Sequence, residues 1–151
     1  ESLVPTILES LKATGVNPNR ITFELTESAS LFNLQITQRV IAELHNLGCS
    51  FSVDDFGSGF SSFSYLKDLP ADYIKLDGSF IKNLHKDTVD QALVKAMIQV
   101  IQALGKKAVA EYVENQQILD ILKGMGIDFV QGYHIGRPFP VEKLILQKMA
   151  R

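Results

Sequence analysis

Apolar residues follow two different periods along this chain, and the two periods alternate. Spacings of three and four residues, typical of amphipathic helices, give way to short stretches in which every second residue is apolar, as in strands. The predicted strands cover residues 21–25, 51–54, 73–77, 107–110 and 129–131. The predicted helices cover residues 1–14, 34–47, 88–104, 115–125 and 141–149, with a short helical turn at 63–67. This alternation predicts parallel strands connected by right-handed helical crossovers.

Glycines mark the predicted ends of four helices. Gly15, Gly48, Gly105 and Gly126 each follow an amphipathic segment and precede an apolar strand. A glycine just beyond a helix terminus favours the left-handed backbone conformation that ends many helices. The four glycines therefore support the same αβ alternation.

The two faces of each predicted strand differ in polarity. One face is apolar, whereas the other ends in polar side chains at or just beyond the carboxyl end of the strand; these include Glu24, Asp54, Lys75, Asp77, Glu111 and Gln131. Polar groups that converge from five strand ends are typical of the rim of a TIM-type (β/α) barrel. A doubly wound α/β sheet is the alternative, but its strands are buried on both faces and should be apolar on both.

The length of the chain limits how much of a barrel it can form. A complete eight-stranded barrel needs about 250 residues, whereas these 151 residues contain five predicted strands. We therefore expect residues 1–151 to be the C-terminal part of a single barrel domain, about the last five βα units, with the first units upstream.

Composition narrows the classes of function. With 46% hydrophobic residues the chain can bury a core, and a net charge of -2 without a basic stripe argues against binding to duplex nucleic acid. The single cysteine, Cys49, excludes an internal disulfide and is expected in the core. Because no leader or long apolar run is present, we expect a cytoplasmic segment, which other domains of a parent chain could tether to a membrane.

The most distinctive stretch is residues 51–62, where a strand runs into two adjacent carboxylates, Asp54 and Asp55, and then into a loop hinged by Gly57 and Gly59. Adjacent strand residues point to opposite faces, so both carboxylates reach one site only where the backbone begins to turn. Two neighbouring like charges favour a cationic partner, either a divalent metal or a lysine or arginine. An Asx turn with Asp54 solvated is the alternative interpretation.

Three other polar residues also allow purely structural interpretations. Lys75 could form a salt bridge with Asp77. Glu114 could favour the start of the next helix through the helix dipole, and Glu27 could belong to a helix entry.

Five short motifs occur in order along the chain. They are FELTES at 23–28, DDFGSGFSS at 54–62, KLDGSFI at 75–81, AEYVE at 110–114, and QGY at 131–133 followed by GRP at 136–138. Their order and spacing resemble the EAL domain family, bacterial phosphodiesterases that act on cyclic di-GMP. The resemblance extends over most of the chain.

The resemblance implies that four carboxylates bind metal. They are Glu24, Asp54, Asp55 and Glu111. The implied cofactors are two Mg2+ or Mn2+ ions, which prefer carboxylate oxygens, and the segment has no Cys/His cluster for zinc. Such cations neutralise a phosphodiester and lower the pKa of an attacking water. The implied reaction is metal-dependent hydrolysis of cyclic di-GMP to linear pGpG in second-messenger signalling.

The resemblance also implies a catalytic set, formed by Lys75, Glu111 and Asp54. Lys75 resembles a lysine that orients and helps to deprotonate the attacking water, and beside several carboxylates it should stay protonated. The residues implied to contact substrate or to support the ligands are Glu27, Glu114, Gln131 and Asp77. Among these, Glu27 would hold the loop at 56–62 in place.

The sequence departs from the family pattern in two respects. The Glu-Ala-Leu signature, an asparagine ligand and an arginine that contacts substrate belong to the part of the barrel that would precede Glu1. Tyr112 stands where the family most often has glycine and could narrow the mouth of the site, and His134 with Ile135 replaces a commoner aromatic pair. We expect this segment alone to be inactive.

Two other functions remain open at this point. A degenerate member of the family would be a non-catalytic cyclic di-GMP receptor. The acidic residues that the family pattern places in this segment are all present, which favours the enzyme. A different barrel enzyme would use Lys75 as a Schiff-base or proton-abstracting lysine. From the resemblance alone we also expect a possible homodimer and fusion of the parent chain to GGDEF or sensory domains.

Overall fold

The computed structural model describes residues 3–58 and 63–142, which alternate between helices and strands. The helices are α1 (Leu3–Thr14), α2 (Glu27–Phe32), α3 (Leu34–Asn46), α4 (Gly78–Ile81), α5 (Thr88–Ala103) and α6 (Gln116–Gly124). The strands are β1 (Thr22–Thr26), β2 (Ser50–Phe56), β3 (Tyr73–Leu76), β4 (Lys107–Ala110) and β5 (Phe129–Val130). Short 3-10 helices cover Pro18–Arg20 and Phe63–Lys67. Most of the helix predicted at 141–149 lies outside the described residues.

The strands form one parallel sheet in the order β1-β2-β3-β4-β5, which is also their order along the chain. A doubly wound sheet reverses its strand order at a switch point, whereas the strands of a (β/α) barrel follow one another around the axis. The sequential order therefore confirms the predicted barrel type and excludes the doubly wound alternative.

The two faces of the sheet differ as the strand pattern predicted. The outer face contributes the fully buried side chains of Val53, Ile74 and Leu76 to a core. Ile41 of α3 and Ile98 of α5 belong to the same core. The inner face lines a cavity of about 230 Å³, and its lining residues are Thr22, Glu24, Ser52, Tyr73, Lys75, Val109, Phe129 and Gln131. The sheet thus separates an apolar core from a polar concave surface.

Local sequence fixes the ends of the helices. The side chains of Asn33, Asp87 and Asn115 accept hydrogen bonds from backbone N–H groups in the first turns of α3, α5 and α6. The four glycines predicted to end helices all have positive φ, between 67° for Gly15 and 96° for Gly48. Cys49 is buried in the core, as expected.

Two short helices after strands are absent from the predicted helices, although Glu27 was considered as a helix entry. Thr26 caps α2 and Asp77 caps α4, so each helix begins within two residues of a strand's end. With 6 and 4 residues, these helices are too short to show a helical period in the sequence. None of the described helices combines the length and the apolar character needed to cross a bilayer.

Candidate active site

Lys75 lies at the centre of an ion-pair network on the inner face of β3. Its Nζ atom is 2.8 Å from Oε1 of Glu111, 3.0 Å from Oδ1 of Asp54 and 3.3 Å from Oε2 of Glu24. The Lys75 side chain is only 8% exposed. The partners come from β1, β2 and the residue after β4, because parallel strands bring their carboxyl ends to the same edge.

The partners of Lys75 keep it charged. Burial alone would favour the neutral amine, but hydrogen bonds and charges from Glu111 and Asp54 outweigh it and raise the pKa of Lys75 above its usual value. A lysine in this state supplies a fixed positive charge. It is poorly suited to Schiff-base chemistry, which needs a free amine.

The alternative pairing of Lys75 with Asp77 is wrong. The Oδ1 atom of Asp77 accepts a hydrogen bond from the backbone N–H of Ser79 at 2.8 Å, which caps α4. The Asp77 carboxylate is therefore bound to the backbone of α4. Lys75, on the preceding strand, pairs with carboxylates from other strands.

Three carboxylates converge beside Lys75. Asp54, Asp55 and Glu111 can each direct one oxygen so that all three oxygens lie within 4.8 Å of one another. Asp55 reaches this position because its φ is 56° and the register between β2 and β3 shifts between Val53 and Phe56. The backbone therefore turns where the sequence required it to turn, and Asp54 is ion-paired rather than merely solvated.

The electrostatics of this cluster favour an added cation. Burial together with the charges of Asp54 and Asp77 raises the pKa of Asp55, and Lys75 only partly opposes them. Carboxylate oxygens at this spacing suit a hard divalent ion such as Mg2+ or Mn2+. Asp54, Asp55 and Glu111 thus form a donor set that fits a metal.

Glu24 takes a different position from the other three candidate ligands. It is linked to the cluster through Lys75, and its side chain is 49% exposed. Among the described residues it is not a member of the three-carboxylate cluster. Its role as a metal ligand therefore stays a prediction.

Glu27 connects the start of α2 to the loop after β2. This side chain is buried; its Oε2 accepts the backbone N–H of Gly57 at 3.1 Å, and its Oε1 accepts the hydroxyl of Tyr65 at 2.8 Å. Glu27 is also the first residue of α2, so the helix-entry interpretation is correct as well. The contribution of Tyr65 was not predicted, since no local pattern links residues 38 positions apart.

An open cavity of about 380 Å³ adjoins the carboxylate cluster. Its lining residues are Asp54, Asp55, Glu111, Tyr112, Glu114, Gln131, Gly132 and Tyr133. The structure thus brings Glu114 and Gln131 to the site, whereas the described lining includes neither Glu27 nor Asp77. Asn115 caps α6 and Glu114 directly precedes this cap, so the effect of Glu114 on the helix dipole stays a prediction. Tyr133 was not predicted as a site residue, although it follows the matched Gln131.

Comparison with known proteins points in one direction. Residues 1–138 match the EAL domain family. The cyclic di-GMP phosphodiesterase PdeB of Shewanella oneidensis is 43% identical over 141 residues, which cover 93% of this chain but only 16% of the length of PdeB.

Solved structures agree with the sequence comparison. The PaMucR phosphodiesterase, in complex with c-di-GMP, has a TM-score of 0.89 at 36% identity, over 95% of this chain and 58% of that chain. BlrP1 of Klebsiella pneumoniae, in complex with manganese and cy-diGMP, has a TM-score of 0.80 at 31% identity, over 86% of this chain and 33% of that chain. The chain described here therefore belongs to the EAL domain family.

Proposed function

We propose that this chain forms the carboxylate-rich part of a phosphodiesterase domain that hydrolyses cyclic di-GMP to linear pGpG with the help of two divalent cations, Mg2+ or Mn2+. The observation that carries the proposal is the convergence of Asp54, Asp55 and Glu111 around the charged Lys75 at the carboxyl ends of the strands. This is the edge at which barrel enzymes carry their chemistry. The names of PdeB and PaMucR, and the ligands of PaMucR and BlrP1, support the choice of substrate and metal.

The proposal assigns metal binding to the acidic side chains. Asp54, Asp55 and Glu111 would hold a cation, and Glu24, which also pairs with Lys75, would extend the ligand set. When bound, divalent cations neutralise the phosphate and lower the pKa of a water.

The remaining residues position reactants around this centre. Lys75, fixed by Asp54 and Glu111, would supply a fixed positive charge beside the attacking water and so help to orient it. Gln131 and Glu114 line the cavity and face the substrate. Glu27 fixes the loop that follows the ligands through Gly57, and Asp77 fixes the start of α4 beyond Lys75.

The proposal treats residues 1–151 as part of one domain whose upstream residues complete the site. The matched region is 58% of the solved PaMucR chain, so activity is expected of the complete gene product and not of this segment. A homodimer and fusion to GGDEF or sensory domains stay predictions.

Turnover by the complete gene product tests the proposal. We would incubate it with cyclic di-GMP and Mg2+ and separate the products by chromatography, beside the variants Lys75→Ala and Lys107→Ala. Lys107 is the matched control, because it is also ion-paired, to Asp128 at 2.8 Å, but lies at the start of β4 and away from the cavity. We expect linear product from the wild type and from Lys107→Ala, and a loss of about 100-fold or more for Lys75→Ala.

Other outcomes would contradict the proposal in different ways. Binding of cyclic di-GMP without turnover in the wild type would identify a receptor. Equal turnover in both lysine variants would remove Lys75 from the chemistry. An absence of both binding and turnover would reject the substrate.

A further inference from the structure

Tyr112 has an unusual backbone conformation directly beside the proposed metal ligands. Its φ is 53°, in the left-handed region that favours glycine, and it follows Glu111 in sequence. Apart from Asp55, it is the only non-glycine residue with positive φ in the part of the chain that the structure describes. Strained residues of this kind persist where the surroundings fix them, and they cluster at functional sites.

The neighbours of Tyr112 explain why the strain persists. On one side, the Glu111 side chain is held by Lys75 at 2.8 Å. On the other, Val113 is fully buried and forms two backbone hydrogen bonds, to the carbonyl of Gln131 at 3.0 Å and from the N–H of His134 at 3.0 Å. The backbone of Tyr112 must therefore turn between two fixed points.

The ring of Tyr112 is also held in place. It lies against Gly78 at the start of α4, so closely that a Cβ atom on Gly78 would collide with the ring. The Nζ of Lys82 lies 4.1 Å from the ring centroid, a cation–π distance. Tyr112 nevertheless remains 49% exposed and lines the same cavity as Asp54, Asp55 and Glu111.

We propose that Tyr112 is a substrate-binding residue whose ring forms an aromatic wall for a base of the bound nucleotide. The inference rests on the proposed function, because a cation at the carboxylate cluster would place a phosphate, and hence its nucleoside, within the cavity that Tyr112 lines. A flat ring held beside that cavity offers a stacking surface at little entropic cost. Gly78 makes room for the ring, and Lys82 is a positioning residue that acts through it.

A purely structural role makes the opposite prediction for stability. If the ring served only to pack on Gly78, its removal would destabilise the protein and leave ligand affinity unchanged. Glycine tolerates the observed φ of residue 112, so Tyr112→Gly relieves strain while it removes the ring. In this variant the Kd reports ligand binding, and the thermal midpoint reports the balance between lost packing on Gly78 and relieved strain.

The experiment measures three quantities on the complete gene product: the Kd and KM for cyclic di-GMP, kcat, and the thermal midpoint. The variants are Tyr112→Gly, which removes the ring, and Tyr112→Phe, which keeps the ring and removes only the hydroxyl. We expect Tyr112→Gly to raise Kd and KM about tenfold, the loss expected for one stacked base. Its kcat should change by less than about threefold, and its thermal midpoint should not fall. Tyr112→Phe should match the wild type.

Three results would overturn the inference. The first is an unchanged or lower Kd for Tyr112→Gly, which would mean that the ring merely obstructs the mouth. The second is a fall in kcat and thermal midpoint with Kd unchanged, which would mark a structural role. The third is a wild type that neither binds nor hydrolyses cyclic di-GMP; the proposed function then fails first, and the failure is visible before any variant is made.

Discussion

Carboxylates lie at both ends of the sheet, but they have different partners. At the amino end, Asp72 accepts the backbone N–H of Phe51 at 2.7 Å, and Asp128 accepts the backbone N–H of Ala108 at 3.0 Å. At the carboxyl end, Asp54 and Glu111 share the single ammonium of Lys75. Asp72 and Asp128 are thus bound by the backbone they stabilise, whereas Asp54 and Glu111 compete for one cation.

The comparison shows how this chain separates stability from function. Asp128 also accepts hydrogen bonds from Lys107 at 2.8 Å and from Gln102 at 3.0 Å, so its partners are all supplied by the fold. In contrast, burial, followed by the like charges of Asp54 and Asp77, raises the pKa of Asp55. The hydrogen bonds to Asp128 already satisfy its negative charge, whereas the excess negative charge around Asp55 favours binding of a cation. Barrels in general place function at the carboxyl ends of their strands and stability at the other end.

The largest expected effect is stabilisation of the folded protein by a metal ion. It should depend on the carboxylates at the carboxyl end of the sheet and not on those at the amino end. Saturating Mn2+, at about 100 times its Kd, should raise the free energy of unfolding by about 2.7 kcal/mol. In Asp55→Asn the same Mn2+ concentration should add less than about 0.5 kcal/mol if affinity falls about 100-fold. Without metal, Asp55→Asn should be at least as stable as the wild type, because it removes repulsion from Asp54 and Asp77.

Thermal unfolding with and without Mn2+ would measure both effects. Asp128→Asn serves as the control, since it changes a carboxylate of the opposite end and should keep the full response to Mn2+. An equal response in all three proteins would place the cation elsewhere and break the contrast between the two ends.

The next effect concerns stability at the amino end. Asp128→Asn should lower the free energy of unfolding by about 1–3 kcal/mol, because the side chain is 12% exposed and its charge supports three hydrogen bonds. Denaturation in urea would measure the loss, and turnover should stay as in the wild type. Lys107→Ala is the matched comparison; Lys107 is 58% exposed, so its removal should cost only about 0–1 kcal/mol. Equal losses in the two variants would mean that the stabilisation comes from the ion pair between Lys107 and Asp128 and not from the hydrogen bond that Asp128 accepts from the Ala108 N–H.

The sequence contains enough information for the strands and for the acidic pair, since both depend on local pattern. Alternation along β2 predicted that Asp54 faces the inner side, and the adjacent Asp55 predicted a turn that the positive φ then supplies. The bond between Glu27 and Tyr65 could not be predicted, because it joins residues brought together only by tertiary packing. The alternative pairing of Lys75 with Asp77 is wrong for a local reason: Asp77 caps α4, and its carboxylate accepts the backbone N–H of Ser79.

The smallest effect is the pH dependence that Asp128 contributes at the amino end. Burial disfavours the charge of Asp128, but hydrogen bonds from Lys107, from the Ala108 N–H and from Gln102 outweigh it and hold the pKa of Asp128 below its usual value. A carboxylate with a depressed pKa stabilises the folded state above its unfolded pKa of about 3.9, and this contribution is lost as the pH falls through the folded pKa. The difference in unfolding free energy between wild type and Asp128→Asn should therefore be constant from pH 7 to about pH 5 and shrink below about pH 4. Urea denaturation at a series of pH values would measure it, and a difference that stays constant down to pH 3 would mean that the Asp128 charge contributes nothing to folding.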